Sequence, residues 1–299
     1  MKIEKVLEGA YDLHVHAAPD VVPRHQALPE LAKAASSMRM AGILIKDHTT
    51  STVGRCFTFN RVWDKGFRFL SSLALNPPVG GLNPVAVESA LREGAGVIYL
   101  PTYGAANHIT RWGAGKPPTA FPLPGPGYTG ITLYDERKGL RGECEPILRL
   151  IAGRDAVMAT GHISPEESLS LLRLAAGCGV RRMMLTHASE SVISMSPEQQ
   201  KEAAALGAFL EHSFFAVTGS CPNPVSLEVI RDQIRFTGVE KVILTSDFGQ
   251  TANKPPVEGF CYYLEKMMGL GFSAEELRVM ICDNPRKLLD GKRNEAETS

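Results

Sequence analysis

The stretch Asp12-Leu13-His14-Val15-His16-Ala17-Ala18-Pro19-Asp20 follows a short N-terminal segment and ends a predicted strand over residues 6–17. Side chains two positions apart on a strand point to the same face, so His14 and His16 project together. Two neutral imidazoles aimed at one point can bind Zn, Mn, Fe or Ni. An isolated His-x-His pair is more often two satisfied polar residues at a loop mouth. The metal interpretation therefore depends on what the rest of the chain adds.

The remainder of the chain repeats the order strand, loop, helix until eight strands are predicted. After the first strand, the predictions fall at residues 42–46, 67–75, 96–100, 156–160, 181–186, 208–213 and 241–246. Helix starts are marked by caps such as Asn83-Pro84 and Ser164-Pro165-Glu166-Glu167. Strands that alternate with helices pair in parallel, either in a (β/α)8 TIM barrel or in a doubly wound open sheet.

The loop after the first strand favours the barrel. An open sheet usually carries a Gly-rich phosphate-binding turn at this point. Here His-x-His and Ala17-Ala18-Pro19 take its place. The sequence therefore predicts an α/β fold of the (β/α)8 TIM-barrel type.

An insertion rich in Pro and Gly interrupts the repeat after the fourth predicted strand, over about residues 103–141. Long loops inside compact domains are usually functional or disordered. We predict that this one forms a lid over the mouth of the barrel; the alternative is a mobile surface insertion. The chain is thus expected to form a single domain over residues 1–291. The polar tail, 292–299, is predicted to be disordered.

The bulk composition restricts the choice of partners and compartment. The formal net charge is zero and the isoelectric point is near 7.1, which gives no electrostatic basis for binding nucleic acid or an anionic membrane. No apolar run reaches the roughly 18 residues of a membrane span, and the N-terminus lacks a signal peptide's apolar region. Six scattered cysteines without a C-x-x-C motif are typical of reduced thiols. We expect a cytoplasmic protein with a small-molecule substrate, and the sequence leaves open whether it forms a homo-oligomer.

Histidines, one lysine and one aspartate recur at the carboxyl ends of the predicted strands, where TIM barrels place their catalytic residues. The residues are His14, His16, Lys46, His48, His162, His187 and Asp247. Imidazoles and a carboxylate that converge there form a site for one or two divalent ions. Zinc is the first choice, and Mn, Fe or Ni are alternatives. Asp247 is a candidate both for binding metal and for accepting a proton from attacking water.

In the order of these candidate ligands along its strands, the chain resembles the amidohydrolase superfamily of metal-dependent hydrolases. His14-Val15-His16 is similar to the superfamily's pair on the first strand, and His162 and His187 to its histidines after strands five and six. Asp247 is similar to its aspartate after strand eight. The resemblance covers about residues 11–289 and implies a TIM barrel, divalent metal and hydrolysis. More narrowly, the motifs at residues 11–20, 46–48 and 75–84 resemble those of an uncharacterised amidohydrolase-like subgroup, and this resemblance implies no substrate.

Lys46 marks a departure from that pattern. Many two-metal members bridge their ions with a carboxylated lysine or a glutamate on strand four, but Tyr99–Tyr103 offers neither. Lys46 is a candidate carboxylated bridge; it could equally stay an ammonium that binds a substrate carboxylate, or be an ion-paired barrel lysine. Lys46-Asp47-His48 also resembles the Thr-Asp-His after strand two of PHP-type phosphoesterases, in which the histidine is a ligand. The metal count is therefore left open.

Five more residues are candidates for substrate binding, against the commoner reading of each as an ordinary surface or packing residue. They are Arg24, His25, Arg55, His108 and His212. Either arginine could bind an anionic group through a bidentate contact. On the seventh strand, Glu211 and His212 alternate, so only one faces the barrel interior. We favour His212 as the inward partner of the metal ligands.

The favoured function is hydrolysis of a small-molecule amide, cyclic amide or lactone by metal-activated water. Two alternatives keep the barrel and its metal but change the reaction, to one-metal decarboxylation or to phosphoester hydrolysis. A third is a non-catalytic barrel that binds metal or ligand. Asp247 argues against the third, because a structural metal site has little use for a proton acceptor beside an open position.

Overall fold

The computed structural model describes residues 3–63, 66–113 and 121–290. The strands within these ranges are β1 (Tyr11–Val15), β2 (Gly42–Ile45), β3 (Arg68–Leu70), β4 (Ser72–Ala74), β5 (Val97–Tyr99), β6 (Val157–Ala159), β7 (Met183–Leu185), β8 (Phe209–Ser213) and β9 (Val242–Thr245). The α-helices are α1 (Ile3–Leu7), α2 (Leu28–Ser37), α3 (Val53–Val62), α4 (Pro84–Glu93), α5 (Ala106–Trp112), α6 (Cys144–Gly153), α7 (Pro165–Gly177), α8 (Pro197–Ala205), α9 (Leu227–Thr237), α10 (Pro256–Gly269), α11 (Ala274–Arg278) and α12 (Asn284–Asp290). Helices and strands thus alternate along most of the chain, as predicted.

The strands form two parallel sheets. One has the order β1-β2-β3 and the other runs in chain order from β4 to β9. Only Ser71 separates β3 from β4, so the third predicted strand is divided at a single residue. Every pairing between named strands is parallel, which confirms the predicted α/β class.

The first strand also meets the segment that follows the last one. Val15 forms a parallel bridge with Phe248. The backbone N–H of Asp247 donates to the carbonyl of His14 at 2.9 Å, and that of His16 donates to the carbonyl of Phe248 at 2.8 Å. These bonds place the His-x-His segment directly beside Asp247.

Two apolar clusters fix the strands on both faces, as expected for parallel sheets covered by helices. The larger cluster fills the space between strands and helices. The smaller one comprises strand residues such as Leu13, Leu44 and Ile243 and is completed by Leu288 of α12. Because apolar side chains fill the strand centres, the polar side chains gather at the strand ends.

The predicted helix caps are present. Asn83 accepts hydrogen bonds from the backbone of Val85 and Ala86 at the start of α4. Ser164 and Glu167 form a reciprocal capping box at the start of α7. These local bonds set where each helix begins and therefore the length of the loops that carry the site.

The insertion after β5 includes α5 and then returns to the body of the protein at Ile131, which forms a bridge with Ala105. Residues 114–120 of the insertion and the predicted tail, 292–299, lie outside the described residues. Of the helices in the described ranges, none has the length and apolarity needed to cross a membrane.

Candidate metal centre

A small cavity of about 50 Å³ opens at the carboxyl ends of the strands. Most of the predicted metal ligands line it, namely His16, Lys46, His48, His162, His187 and Asp247. His14 is completely buried next to them. The structure therefore brings all seven predicted residues to one place, although they come from five strand ends.

Asp247 lies at the centre of this group. Its Oδ1 is 3.0 Å from Nε2 of His16 and 3.2 Å from Nε2 of His14. Both Asp247 and His187 have positive φ, 51° and 58°. Non-glycine residues rarely adopt this backbone conformation, which costs on the order of 1–3 kcal/mol and often marks a functional site. The fold holds both side chains at the mouth despite that cost.

Glu211 orients the first histidine. Its Oε1 lies 2.6 Å from Nδ1 of His14 and accepts a hydrogen bond from Thr245 Oγ1 at 2.9 Å. Its Oε2 accepts from the backbone N–H of His187 at 3.3 Å. A carboxylate on the outer nitrogen of a histidine fixes the ring and leaves Nε2 free for a metal ion.

The expectation that His212 faces inward is therefore wrong, and Glu211 takes that position. Nδ1 of His212 lies 2.5 Å from Oγ of Ser189, which also donates to Gln233 of α9 at 2.6 Å. His212 thus points to the helix side of β8. The alternation rule was correct, but the sequence did not identify which of the two residues faces the interior.

Glu190 is a site residue that the sequence analysis did not select. Its Oε1 lies 2.7 Å from Nδ1 of His187 and accepts a hydrogen bond from Ser213 Oγ. Its side chain lines the cavity and is buried. The available signal was its position three residues after a histidine at a strand end.

Lys46 lies inside the centre. Its Nζ is 2.9 Å from Nε2 of His14 and 4.8 Å from the centroid of the Tyr99 ring. Burial lowers the pKa of the Lys46 ammonium, while the nearby carboxylates of Asp247 and Glu211 act in the opposite direction. The Nζ of Lys46 is therefore close enough to His14 to lie among the groups that would surround a bound ion.

His108 of the insertion pairs with a predicted ligand. Its Nδ1 lies 2.8 Å from Nδ1 of His162, and the Nε2 atoms of both rings are buried without a hydrogen-bond partner in the described part of the chain. His48 contacts Thr102 through its own Nδ1 at 2.9 Å. When both rings are neutral, one Nδ1 donates to the other, so only the donating ring keeps an Nε2 lone pair that could bind an ion.

Burial sets the charge state of the centre. It lowers the pKa values of His14, His16, His48 and His162, so these rings are neutral near pH 7, the form that binds metals. Burial also raises the pKa of Asp247 to about 8 and that of Glu190 to about 8. A cation beside these carboxylates would lower both values again by favouring the ionised form.

The donor set fits a divalent ion. Among the described residues there are three overlapping groups of buried side chains, and within each group the ligand atoms lie within 4.8 Å of one another. The groups are His14/His16/Asp247, His14/His187/Glu211 and His187/Glu190/Asp247. Imidazole nitrogens and carboxylate oxygens in such sets suit Zn and also Mn, Fe or Ni.

The remaining candidates divide between the cavity and the surface. Arg24 lines the cavity, but His25 beside it is exposed, and its backbone N–H donates to the carbonyl of Gly249. Arg55 pairs with Asp47 at 2.9 Å and donates to the carbonyl of Pro19 at 2.7 Å. Neither His25, in the loop after β1, nor Arg55, on α3, lines the cavity.

Comparison with known proteins begins with a family model. Residues 9–211, more than half of the 299-residue chain, match the model described as "Family of unknown function (DUF6282)". The chain belongs to this family. The DUF6282 match includes β1 through part of β8, and so includes the His-x-His pair and Glu211 but not Asp247. No functionally curated protein matches the sequence.

Solved structures with a similar fold include an amidohydrolase, a probable dipeptidase and an organophosphorus hydrolase. An amidohydrolase from Pseudomonas aeruginosa has a TM-score of 0.67 at 12% identity, over 97% of this chain and 98% of that one. A probable dipeptidase, PvdM, from the same organism has a TM-score of 0.63 at 9% identity, over 96% of each chain. An organophosphorus hydrolase from Deinococcus radiodurans has a TM-score of 0.59 at 12% identity, over 97% of this chain and 94% of that one. The predicted resemblance to the amidohydrolase superfamily is thus confirmed at the level of the fold.

Proposed function

We propose that this protein is a metal-dependent hydrolase of a small-molecule amide, cyclic amide or lactone. The observation that carries the proposal is the position of Asp247, whose Oδ1 lies 3.0 Å from His16 and 3.2 Å from His14 inside a buried cavity. A carboxylate at this point can bind metal with one oxygen and accept a proton with the other. The hydrolases that share the fold support the reaction class.

His14, His16 and Asp247 would hold the ion, with His187 and Glu190 beside them. The bound ion would supply Lewis acidity, which activates water and polarises the bond to be cleaved. Asp247 takes the proton of the attacking water on Oδ2 and returns it to the leaving group. Glu211 keeps the His14 ring in its binding orientation through the 2.6 Å contact.

The insertion contributes a wall that we propose acts as a lid. Tyr103, Trp112 and Phe121 all line the cavity. Large aromatic side chains exclude water from the reacting atoms, which strengthens electrostatic interactions there. We further propose that the two sheets form one closed barrel. Backbone hydrogen bonds join β1, at the edge of one sheet, to the segment after β9, at the edge of the other: Asp247 donates to His14, and His16 donates to Phe248.

The metal count depends on Lys46. We propose zinc as the ion, with a second ion bound if Lys46 becomes carboxylated. The short distance of 2.9 Å between its Nζ and His14 supports a place among the ligands. Elemental analysis of gently purified protein separates the cases: two ions per chain support the bridge, and one ion leaves Lys46 an ammonium.

The test of the function is Asp247→Asn, assayed with nitrophenyl esters, lactones and nitroanilide amides after metal loading. Loss of general acid–base help lowers the rate by about 10²–10⁴-fold. Asp232→Asn is the control, because that side chain is 67% exposed on α9 and does not line the cavity. Equal turnover by wild type and Asp247→Asn would contradict the proposal.

The same panel includes phosphate triesters and diesters. Turnover of these alone would favour the phosphoesterase alternative on the same site. Metal binding without turnover of any substrate would favour a non-catalytic barrel. Turnover of an amide, a lactone or an ester therefore supports the proposal directly.

A further inference from the structure

The guanidinium of Arg24 is buried and fixed at the cavity. Its side chain is only 3% exposed, and its Nε donates to Oδ2 of Asp20 at 2.7 Å, a carboxylate that is itself 1% exposed. A desolvated ion pair of this kind immobilises both side chains. Arg24 is thus presented to the cavity in a single orientation.

One end of this guanidinium is unused. Nη2 of Arg24 is buried and has no hydrogen-bond partner among the described residues. An arginine offers five N–H donors in a planar fork, and a buried charged donor without a partner is costly. Oδ1 of Asp20 is likewise buried without a partner, so a single hydrogen bond joins the pair and Nη2 is left to donate to an acceptor in the cavity.

The backbone of Arg24 is tied to the loop that carries Asp247. Arg24 and Gln250 form an antiparallel bridge, and Nε2 of Gln250 donates to the carbonyl of Asp247 at 3.0 Å. The Phe121 ring lies 5.9 Å from the guanidinium carbon and forms a wall beside it. The spacing between the guanidinium and the metal ligands is consequently fixed.

We propose that Arg24 binds a carboxylate of the substrate, which makes the substrates small molecules that carry a carboxylate near the hydrolysed bond. The inference rests on the proposed function and names its substrate class. The guanidinium fork matches a carboxylate in a bidentate, planar contact. A singly charged carboxylate is also favoured over a doubly charged phosphate, because the carboxylates of Asp20 and Asp247 line or adjoin the same cavity.

The experiment compares two esters that differ only in this group, mono-4-nitrophenyl glutarate and its neutral methyl ester. For each variant we measure the ratio of kcat/KM for the carboxylated ester to that for the neutral one. Arg24→Met is expected to lower this ratio by about 10- to 100-fold, the range for a hydrogen bond to a charged group. Arg24→Lys, which keeps the charge but loses the fork, should fall between wild type and Arg24→Met.

Arg55→Met is the matched control. Arg55 also pairs with an aspartate and binds the loop after β1, but it does not line the cavity. It should keep the wild-type ratio, while thermal unfolding reports whether each variant is folded. An unchanged ratio in Arg24→Met, in protein that hydrolyses the neutral ester, overturns the carboxylate site and leaves the hydrolase standing.

A binding measurement decides the inference if wild type hydrolyses neither ester and the proposed function fails. Calorimetry on the metal-free protein then compares glutarate with glutaramide. Weakening of glutarate binding by about 10- to 100-fold in Arg24→Met, but not in Arg55→Met, supports the site. Equal glutarate affinity in the two variants overturns it.

Discussion

At the residue scale, Glu211 sets the orientation of the His14 ring in the candidate metal centre. Its contact of 2.6 Å with Nδ1 leaves Nε2 of His14 facing Asp247. Glu211→Gln is expected to weaken metal binding by about 10- to 100-fold, the usual effect of removing such an outer partner. Competition with a chromophoric chelator measures the affinity.

The neighbouring residue provides the control for this prediction. His212→Asn changes the same strand on its opposite face, where the ring contacts Ser189 rather than the cavity. Its metal affinity should remain within about twofold of wild type, since it contacts no ligand. Equal losses in both variants would mean that β8 is disturbed and that Glu211 has no special role.

At the scale of elements, the first turn of α7 anchors the insertion. Glu167 is buried and accepts hydrogen bonds from the backbone of Ser164 at 2.9 Å and of Leu133 at 2.7 Å. It also accepts from Thr132 Oγ1 at 2.5 Å. One carboxylate therefore caps the helix and holds the returning end of the insertion.

Glu167→Ala should lower the free energy of unfolding by about 3 kcal/mol, because a cap and bonds to a buried carboxylate are lost together. Gln199→Ala at the same position of α8 removes only the local cap and should cost about 1 kcal/mol. Urea unfolding measures both. Proteolysis near residues 121–141 should also accelerate in Glu167→Ala alone; equal unfolding energies would refute the anchoring role.

At the scale of the whole molecule, the candidate metal centre depends on the contact between β1 and the segment after β9. Gly249 lies at this contact with φ +149°, and a Cβ there would be 2.1 Å from the carbonyl oxygen of His16. No side chain fits without moving one of the two segments. The glycine thus permits the approach that brings His16 to Asp247.

Gly249→Ala is expected to lower stability by at least about 2 kcal/mol and to weaken metal binding, since strain and displacement act on the ligands themselves. Gly177→Ala is the control, because a Cβ at that position of α7 meets nothing within 4 Å. That variant should be as stable as wild type or slightly more so. Thermal unfolding with and without metal tests both, and a Gly249→Ala protein with normal metal affinity would contradict the expectation.

The sequence by itself determined the strands, the helix starts and most of the candidate metal ligands that the structure brings together. Each of these follows from local patterns: apolar runs, caps such as Ser164 with Glu167, and His-x-His two residues apart. In a repeating strand–helix chain, the carboxyl ends of parallel strands meet at one edge. Residues distant in sequence, such as His187 and Asp247, could therefore be assigned to one place without coordinates.

Only the tertiary structure decided which of two neighbouring residues faces the cavity. β8 is buried almost throughout, so it has no polar and apolar alternation to distinguish Glu211 from His212. Similarly, the choice of Arg24 over Arg55 depends on the bridge between Arg24 and Gln250, which are far apart in sequence. Local patterns specify that side chains alternate, whereas long-range packing selects the side that meets the metal centre.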